Sequence, residues 1–124
     1  MTLSDYFSKA RGIGVLAAAD SSGNVDIAVY SRPYVTDEEH VFFIMADRLL
    51  HQYLQSNPKA AYLFKEAGEG YAGKRLFLTK TREDDDPAAI DALFKQKNIA
   101  PEYRSESKYI VYFRVDKELP LVGE

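Results

Sequence analysis

Apolar side chains recur along this chain at two spacings, and each change from one to the other marks a new element. Leu3, Tyr6, Phe7 and Ala10 fall at helical intervals, behind Thr2 and Asp5 set three apart as in a capping box. Gly12 is the expected stop of that helix. Ile13–Ala19 is apolar and small throughout, which predicts a strand covered on both faces or nearly so. Asp20-Ser-Ser-Gly23 is a turn. Asn24–Thr36 then alternates, with Asp26, Ala28, Tyr30 and Arg32 toward one side and Val25, Ile27, Val29 and Ser31 toward the other. Pro33 restricts pairing near its end. After a turn at Thr36–His40, the run Val41–Ala46 is a buried strand. It passes without a Gly or Pro break into a short helix, Arg48–Ser56, which Asn57-Pro58 ends.

Lys59–Lys65 is the next strand and Gly68–Gly73 a loop. Lys74–Arg82 alternates again, Leu76 and Leu78 opposite Phe77 and Thr79. Asp86 is placed to cap a helix with Pro87 at its first position and a buried stripe of Ile90, Leu93 and Phe94. Asn98–Glu106 reads as a loop and Ser107–Val115 as the last strand, leaving the tail Asp116–Glu124 loose or docked on a partner. About six strands result, spaced too closely for repeated crossover helices of the parallel α/β type. The expected fold is mainly β, in the α+β sense: a single domain over residues 1–124, an antiparallel barrel with small helices covering its ends.

Composition narrows the chemistry. The 124 residues are 46% hydrophobic, enough for one domain with a real core. A formal charge of −3 gives no bulk attraction to nucleic acid or anionic lipid. The absence of cysteine excludes disulfides, thiolate metal sites, iron–sulfur clusters and thiol nucleophiles, and two histidines, His40 and His51, make a poor metal set. Nine Tyr and seven Phe point to a sheet-rich core, a flat-ring ligand or a subunit interface. Met-Thr-Leu-Ser-Asp has no basic region before an apolar one, and no apolar run approaches a membrane span, so a soluble cytoplasmic protein is expected.

Four motifs carry candidate chemistry. Gly68-Glu-Gly-Tyr-Ala-Gly73-Lys74 matches G-x-G-x-x-G and the start of a P-loop. A strand follows it rather than the helix whose start would hold a phosphate, and Arg75 stands where a P-loop needs Ser or Thr, so a hairpin connection is the expectation. Glu83-Asp-Asp-Asp86 could bind a hard cation but fits a solvated turn ending in a helix cap. At Asp47-Arg48 a strand becomes a helix. Either Asp47 caps the helix and Arg48 points to solvent, or Arg48 and the free N–H groups hold a phosphate. His51, one turn on, faces the same anion or the surface, the surface being preferred. Tyr30, Tyr34, Tyr71, Tyr103 and Tyr109 could stack on a ring system, although core or interface packing is the preferred reading for any single one of them.

The order of these elements resembles the pyridoxamine 5'-phosphate oxidase-like flavin proteins of the split-barrel fold, in particular their small FMN-binding members. The likeness begins at Gly14-Val-Leu-Ala and its turn Asp20–Gly23. It continues through Val25–Tyr34, Val41–Ala46, Arg48 to Pro58, Ala60-Tyr-Leu-Phe64 and Gly73–Thr79, and ends in Tyr109–Val115. The resemblance implies a Greek-key split barrel and a homodimer with FMN in each groove between subunits. The phosphate would sit at Asp47, Arg48, Leu49, Leu50, His51 and Gln52. The ring would lie along Ala28, Val29, Tyr30, Ser31 and Arg32 and along the strand Phe43–Met45, touching Ile44 and Met45. The loop Ala100–Ser107 and the tail are candidates to close the site from the other chain. Where the family often has Ser, Thr or Lys, this chain has Leu49 and Leu50, so main-chain N–H groups would carry more of the phosphate. The implied function is an FMN-binding oxidoreductase or electron-transfer protein, with an unidentified redox partner or small substrate and no catalytic acid or base in view. Rival readings are a split barrel handling deazaflavin F420 or haem, and a non-enzymatic barrel holding single-stranded nucleic acid. The mild acidity and the lack of a basic stripe count against the last.

Overall fold

The structure, a computed structural model, describes residues 1–123. Three helices, α1 (Leu3–Lys9), α2 (Leu49–Ser56) and α3 (Pro87–Gln96), accompany seven strands. These are β1 (Gly12–Ala19), β2 (Val25–Tyr30), β3 (Tyr34–Asp37), β4 (His40–Met45), β5 (Lys59–Glu66), β6 (Gly73–Asp84) and β7 (Tyr109–Pro120). They form one sheet in the order β2-β1-β5-β6-β7-β4-β3, antiparallel at every pairing.

The two edges of that sheet, β2 and β3, are joined by only Ser31, Arg32 and Pro33. A link that short keeps the edges within about 14 Å of each other at that end. The sheet therefore curls almost into a barrel but does not pair across the gap. The expectation of a single strand Asn24–Thr36 fails here, because Pro33 and the chain reversal divide it into β2 and β3 on opposite lips of the split. This adds a seventh strand to the expected six.

Alternate residues of each strand fill the interior. Leu16, Ala18, Val41, Phe43, Met45, Tyr62, Phe64, Leu76, Leu78, Val111 and Phe113 form the core, closed at its ends by Leu3 and Phe7 of α1 and Leu50 and Leu54 of α2. A second cluster of Phe42, Ile90, Phe94 and Ile110 lies where α3 packs on the outer face of β4 and β7. β4 is thus covered on both faces, which explains its unbroken apolar run. β1 is not, contrary to expectation: Leu16 and Ala18 are buried, but Ile13 on the other face is 50% exposed.

The capping residues read from sequence act as read at α1 and α3. Thr2 Oγ1 accepts from the Asp5 N–H at 3.0 Å, and Asp86 Oδ1 accepts from the Ala88 N–H at 3.1 Å ahead of Pro87. α1 ends earlier than expected, at Ala10, and Gly12 instead opens β1. Its missing side chain is needed there, since a Cβ would lie 2.0 Å from the Lys65 carbonyl oxygen. The glycine-rich segment 68–73 is the β5–β6 hairpin connection. The tail is not loose: β7 runs on to Pro120, paired with β6 as far as Lys74. Among the described residues no helix is long and apolar enough to cross a membrane.

Candidate functional site

A cavity of about 820 Å³ opens at the split, within the size range of small-ligand sites. Five parts of the chain line it, among them β3 with Tyr34, and Ala46 lies between β4 and α2. β2 and the link contribute Asp26, Ala28, Val29, Tyr30, Ser31 and Arg32. β4 contributes Phe43 and Ile44, and the start of α2 contributes Arg48, Leu49 and Leu50. Phe94, Ile99, Tyr103, Glu106 and Ser107 complete it from α3 and the loop that follows.

The α2 end of the cavity is the polar end. Arg48, not Asp47, is the N-cap residue, and its side chain makes no capping bond. The first turn carries no acidic residue. Arg48 N–H donates to the Ala46 carbonyl at 3.0 Å, and the first intrahelical bond runs from Gln52 N–H to the Arg48 carbonyl at 3.0 Å. The N–H groups of Leu49, Leu50 and His51 meet no acceptor among the described residues. Three free donors at the positive end of a helix dipole form an anion-binding arrangement. Arg48 extends beside them, 69% exposed, with Nη2 donating to Glu106 Oε1 at 2.8 Å. The Leu50 side chain turns into the core, 3% exposed.

The rest of the cavity is flatter and more apolar. Tyr30 meets Phe43 edge-on at 5.8 Å between centroids, and Tyr34 stacks on Phe42 at 5.1 Å. Burial pushes the Tyr30 phenol up from its ordinary pKa against the opposing pull of the Arg48 guanidinium, and Asp26 adds to the rise. Burial likewise raises Tyr34, against Arg32. Both phenols are therefore neutral hydrogen-bonding groups at neutral pH. Arg32 Nη1 donates to the carbonyls of Phe7 and Ala10, each at 2.8 Å, and so ties the C-terminal end of α1 to the split. Below the split, Tyr62 OH donates to the Ser31 carbonyl at 3.0 Å and holds the link in place.

Of the residues singled out from sequence, the cavity brings together Ala28, Val29, Tyr30, Ser31, Arg32, Tyr34, Phe43, Ile44, Arg48, Leu49, Leu50 and Tyr103, while Tyr71 and Tyr109 lie outside it. Met45, Asp47, His51 and Gln52 do not line it. Met45 faces the core, since inward and outward residues alternate along β4. His51 corrects the preference for a surface position: it is 5% exposed, stacked on Tyr109 at 3.7 Å between rings, and its Nε2 lies 3.0 Å from Glu83 Oε2. The loop Ala100–Ser107, expected to close a partner's site, here lines the cavity of its own chain. Sequence reasoning read Phe94 only as core, and it reached Glu106 only as part of the loop Ala100–Ser107, without singling it out. Among the described residues no cluster of three His, Cys, Asp or Glu side chains is placed to hold a metal, and Asp86 serves as a cap.

No family model matches the sequence, and no curated protein matches it. Solved structures do. An FMN-binding protein from Syntrophomonas wolfei subsp. wolfei superposes with a TM-score of 0.79 at 16% identity, over 98% of this chain and 84% of that one. The chain has the split-barrel fold of the pyridoxamine 5'-phosphate oxidase-like proteins. The split barrel also matches a protein related to general stress protein 26, of the pyridoxinephosphate oxidase family, from Clostridium acetobutylicum, with a TM-score of 0.63 at 15% identity over 94% and 89% of the two chains. An F420 reductase matches it with a TM-score of 0.68 at 15% identity, over 90% of this chain and 91% of that one.

Proposed function

We propose that this split barrel binds FMN in the cavity at its split and serves as an oxidoreductase or electron carrier. The observation that carries the reading is the uncapped start of α2, with Arg48 beside it, at one end of a cavity whose other walls are aromatic and aliphatic. The donor set suits a phosphate monoester. The N–H groups of Leu49, Leu50 and His51 and the Arg48 guanidinium would hold the phosphate, so the missing hydroxyls at Leu49 and Leu50 cost hydrogen bonds but not the site. Tyr30, Ile44 and Phe43 would flank the ring, and Ser31 and Tyr34 could donate to its edge. Bound there, FMN would supply a reversible redox couple. The protein would position the ring, keep water from it and set its electrostatic surroundings.

A homodimer belongs to this reading. Val25, Ile27 and Val29 on the outer face of β2 are 70%, 67% and 69% exposed. They lie in register with Ala19, Ala17 and Val15 of β1, and Leu63 of β5 continues the apolar surface. A soluble monomer rarely leaves such a continuous apolar sheet face to water. Val29 also lines the cavity, so a second copy seated on that face would reach the ligand.

The test is titration of the purified protein with FMN, riboflavin and deazaflavin F420, read by flavin fluorescence. FMN binding above riboflavin is expected. Arg48→Ala should weaken FMN by roughly tenfold or more, the scale of a hydrogen bond to a charged group, and leave riboflavin unchanged. Preference for F420 over FMN would transfer the site to the deazaflavin, and indifference to all three would end the flavin assignment.

A further inference from the structure

Among the described residues, the one side chain holding Arg48 is itself a wall of the cavity. Glu106 reaches it from the loop after α3, 58 residues along the chain, at 2.8 Å. The loop that carries Glu106 is firmly anchored. Arg104 Nε donates to Asp91 Oδ1 at 2.6 Å, and its Nη1 and Nη2 reach the Ser107 and Pro87 carbonyls at 3.0 and 3.3 Å. Ser107 Oγ donates to the Tyr103 carbonyl at 2.7 Å, and Lys108 N–H donates to the Met45 carbonyl at 2.9 Å. Among the described residues the Glu106 side chain, by contrast, is held only by Arg48, and both partners are about two-thirds exposed.

We infer that Glu106 is an internal competitor at this site: it occupies Arg48 as an anion that an incoming phosphate must displace. The inference rests on the proposed phosphate site. A carboxylate carries one charge and a phosphate monoester nearly two, so the dianion wins the guanidinium and the helix-start N–H groups together, whereas a ligand ending in a hydroxyl or a single weak charge does not. The exposed pair is worth little by itself, so the exchange is a side-chain rotation rather than opening of the loop. Breaking the pair costs the same for every anion that takes Arg48, so Glu106 lowers the affinity of all of them and leaves uncharged ligands alone. It thereby sets a threshold that a dianion, gripping the guanidinium and the helix-start N–H groups together, clears more readily than an ordinary carboxylate.

The experiment compares Kd values for FMN, riboflavin and acetate in the wild-type protein, Glu106→Gln, Arg48→Ala and the double variant. Acetate is followed by shifts of the Leu49–His51 amide resonances. Glu106→Gln should tighten FMN by roughly two- to fivefold, the range an exposed ion pair spans, with riboflavin unchanged. Acetate should gain by a similar factor, and both gains should shrink in the Arg48→Ala background. If FMN binds the wild type but Glu106→Gln shifts FMN and riboflavin equally, or neither, the role of Glu106 is overturned and the flavin assignment stands. If neither flavin binds any of the four proteins, both fall together.

Discussion

Single residues at the split hold the cavity in shape, and Gly14 and Tyr62 are the clearest. A Cβ at Gly14 would lie 1.9 Å from the Tyr62 hydroxyl oxygen and 2.6 Å from the Tyr30 carbonyl oxygen. The first is the end of a ring fixed in the core at 1% exposure, and the second is backbone of β2, so neither yields freely. Gly14→Ala should destabilise the fold by about 1–3 kcal/mol, as overpacking does, and should also weaken flavin binding by pushing Tyr30 out of line. Urea denaturation checks the first and titration the second. Arg48 and Tyr30 could be singled out from sequence because a cation at a strand-to-helix junction and an aromatic on an alternating strand have local signatures. Glu106 could not, because its meaning comes from a partner 58 residues away.

Among the elements, the helix starts differ in a way that separates structural from functional roles. α3 is capped by Asp86, with no evident ligand to bind. α2 begins with an arginine and no side-chain cap. Replacing Asp86 with Ala should cost about 1 kcal/mol, measurable as a lower melting temperature, and leave flavin affinity as it was. β2 shows why phase is not the same as polarity. Its alternation was legible, but the apolar set Val25, Ile27 and Val29 faces outward while Asp26, Ala28 and Tyr30 face the cavity side. That uncovered apolar side is the face assigned to the proposed homodimer contact. If a second copy sits there as proposed, Ile27→Asp should shift that dimer toward monomer in sedimentation equilibrium without unfolding it, since 67% of Ile27 is already exposed within the chain.

At the scale of the whole molecule, a part-buried polar cluster around Glu83 joins α2 to β6. Burial works against the Glu83 carboxylate, but hydrogen bonds from Lys80, Gln55 and His51 outweigh it and bring its pKa down from 4.5 to about 2. Lys80 Nζ donates to Glu83 Oε1 at 2.6 Å and Gln55 Nε2 donates to it at 3.0 Å. A carboxyl depressed in the folded state contributes stability that is present above its unfolded pKa and lost as pH falls through the folded one. Discounted for solvent screening of a part-exposed group, the cluster should thus add on the order of 1–2 kcal/mol at neutral pH and lose it as pH falls from about 5 to about 2. Glu83→Gln should flatten that acid limb in urea melts taken across the range; an unchanged limb would assign the acid sensitivity to other carboxylates.

The succession of elements, two of the three helix caps, the core of β4 and the strand-to-helix turn at Asp47-Arg48 were all written locally. Spacing, capping chemistry and apolar runs act over a few residues, and physics at that range does not depend on where the rest of the chain goes. The division of Asn24–Thr36 between two sheet edges, the outward turn of the β2 valines, the burial of His51 against Glu83 and the grip of Glu106 on Arg48 were decided in three dimensions. Each depends on which distant segment arrives alongside, and that is set only when the sheet curls and its two edges meet across Ser31, Arg32 and Pro33.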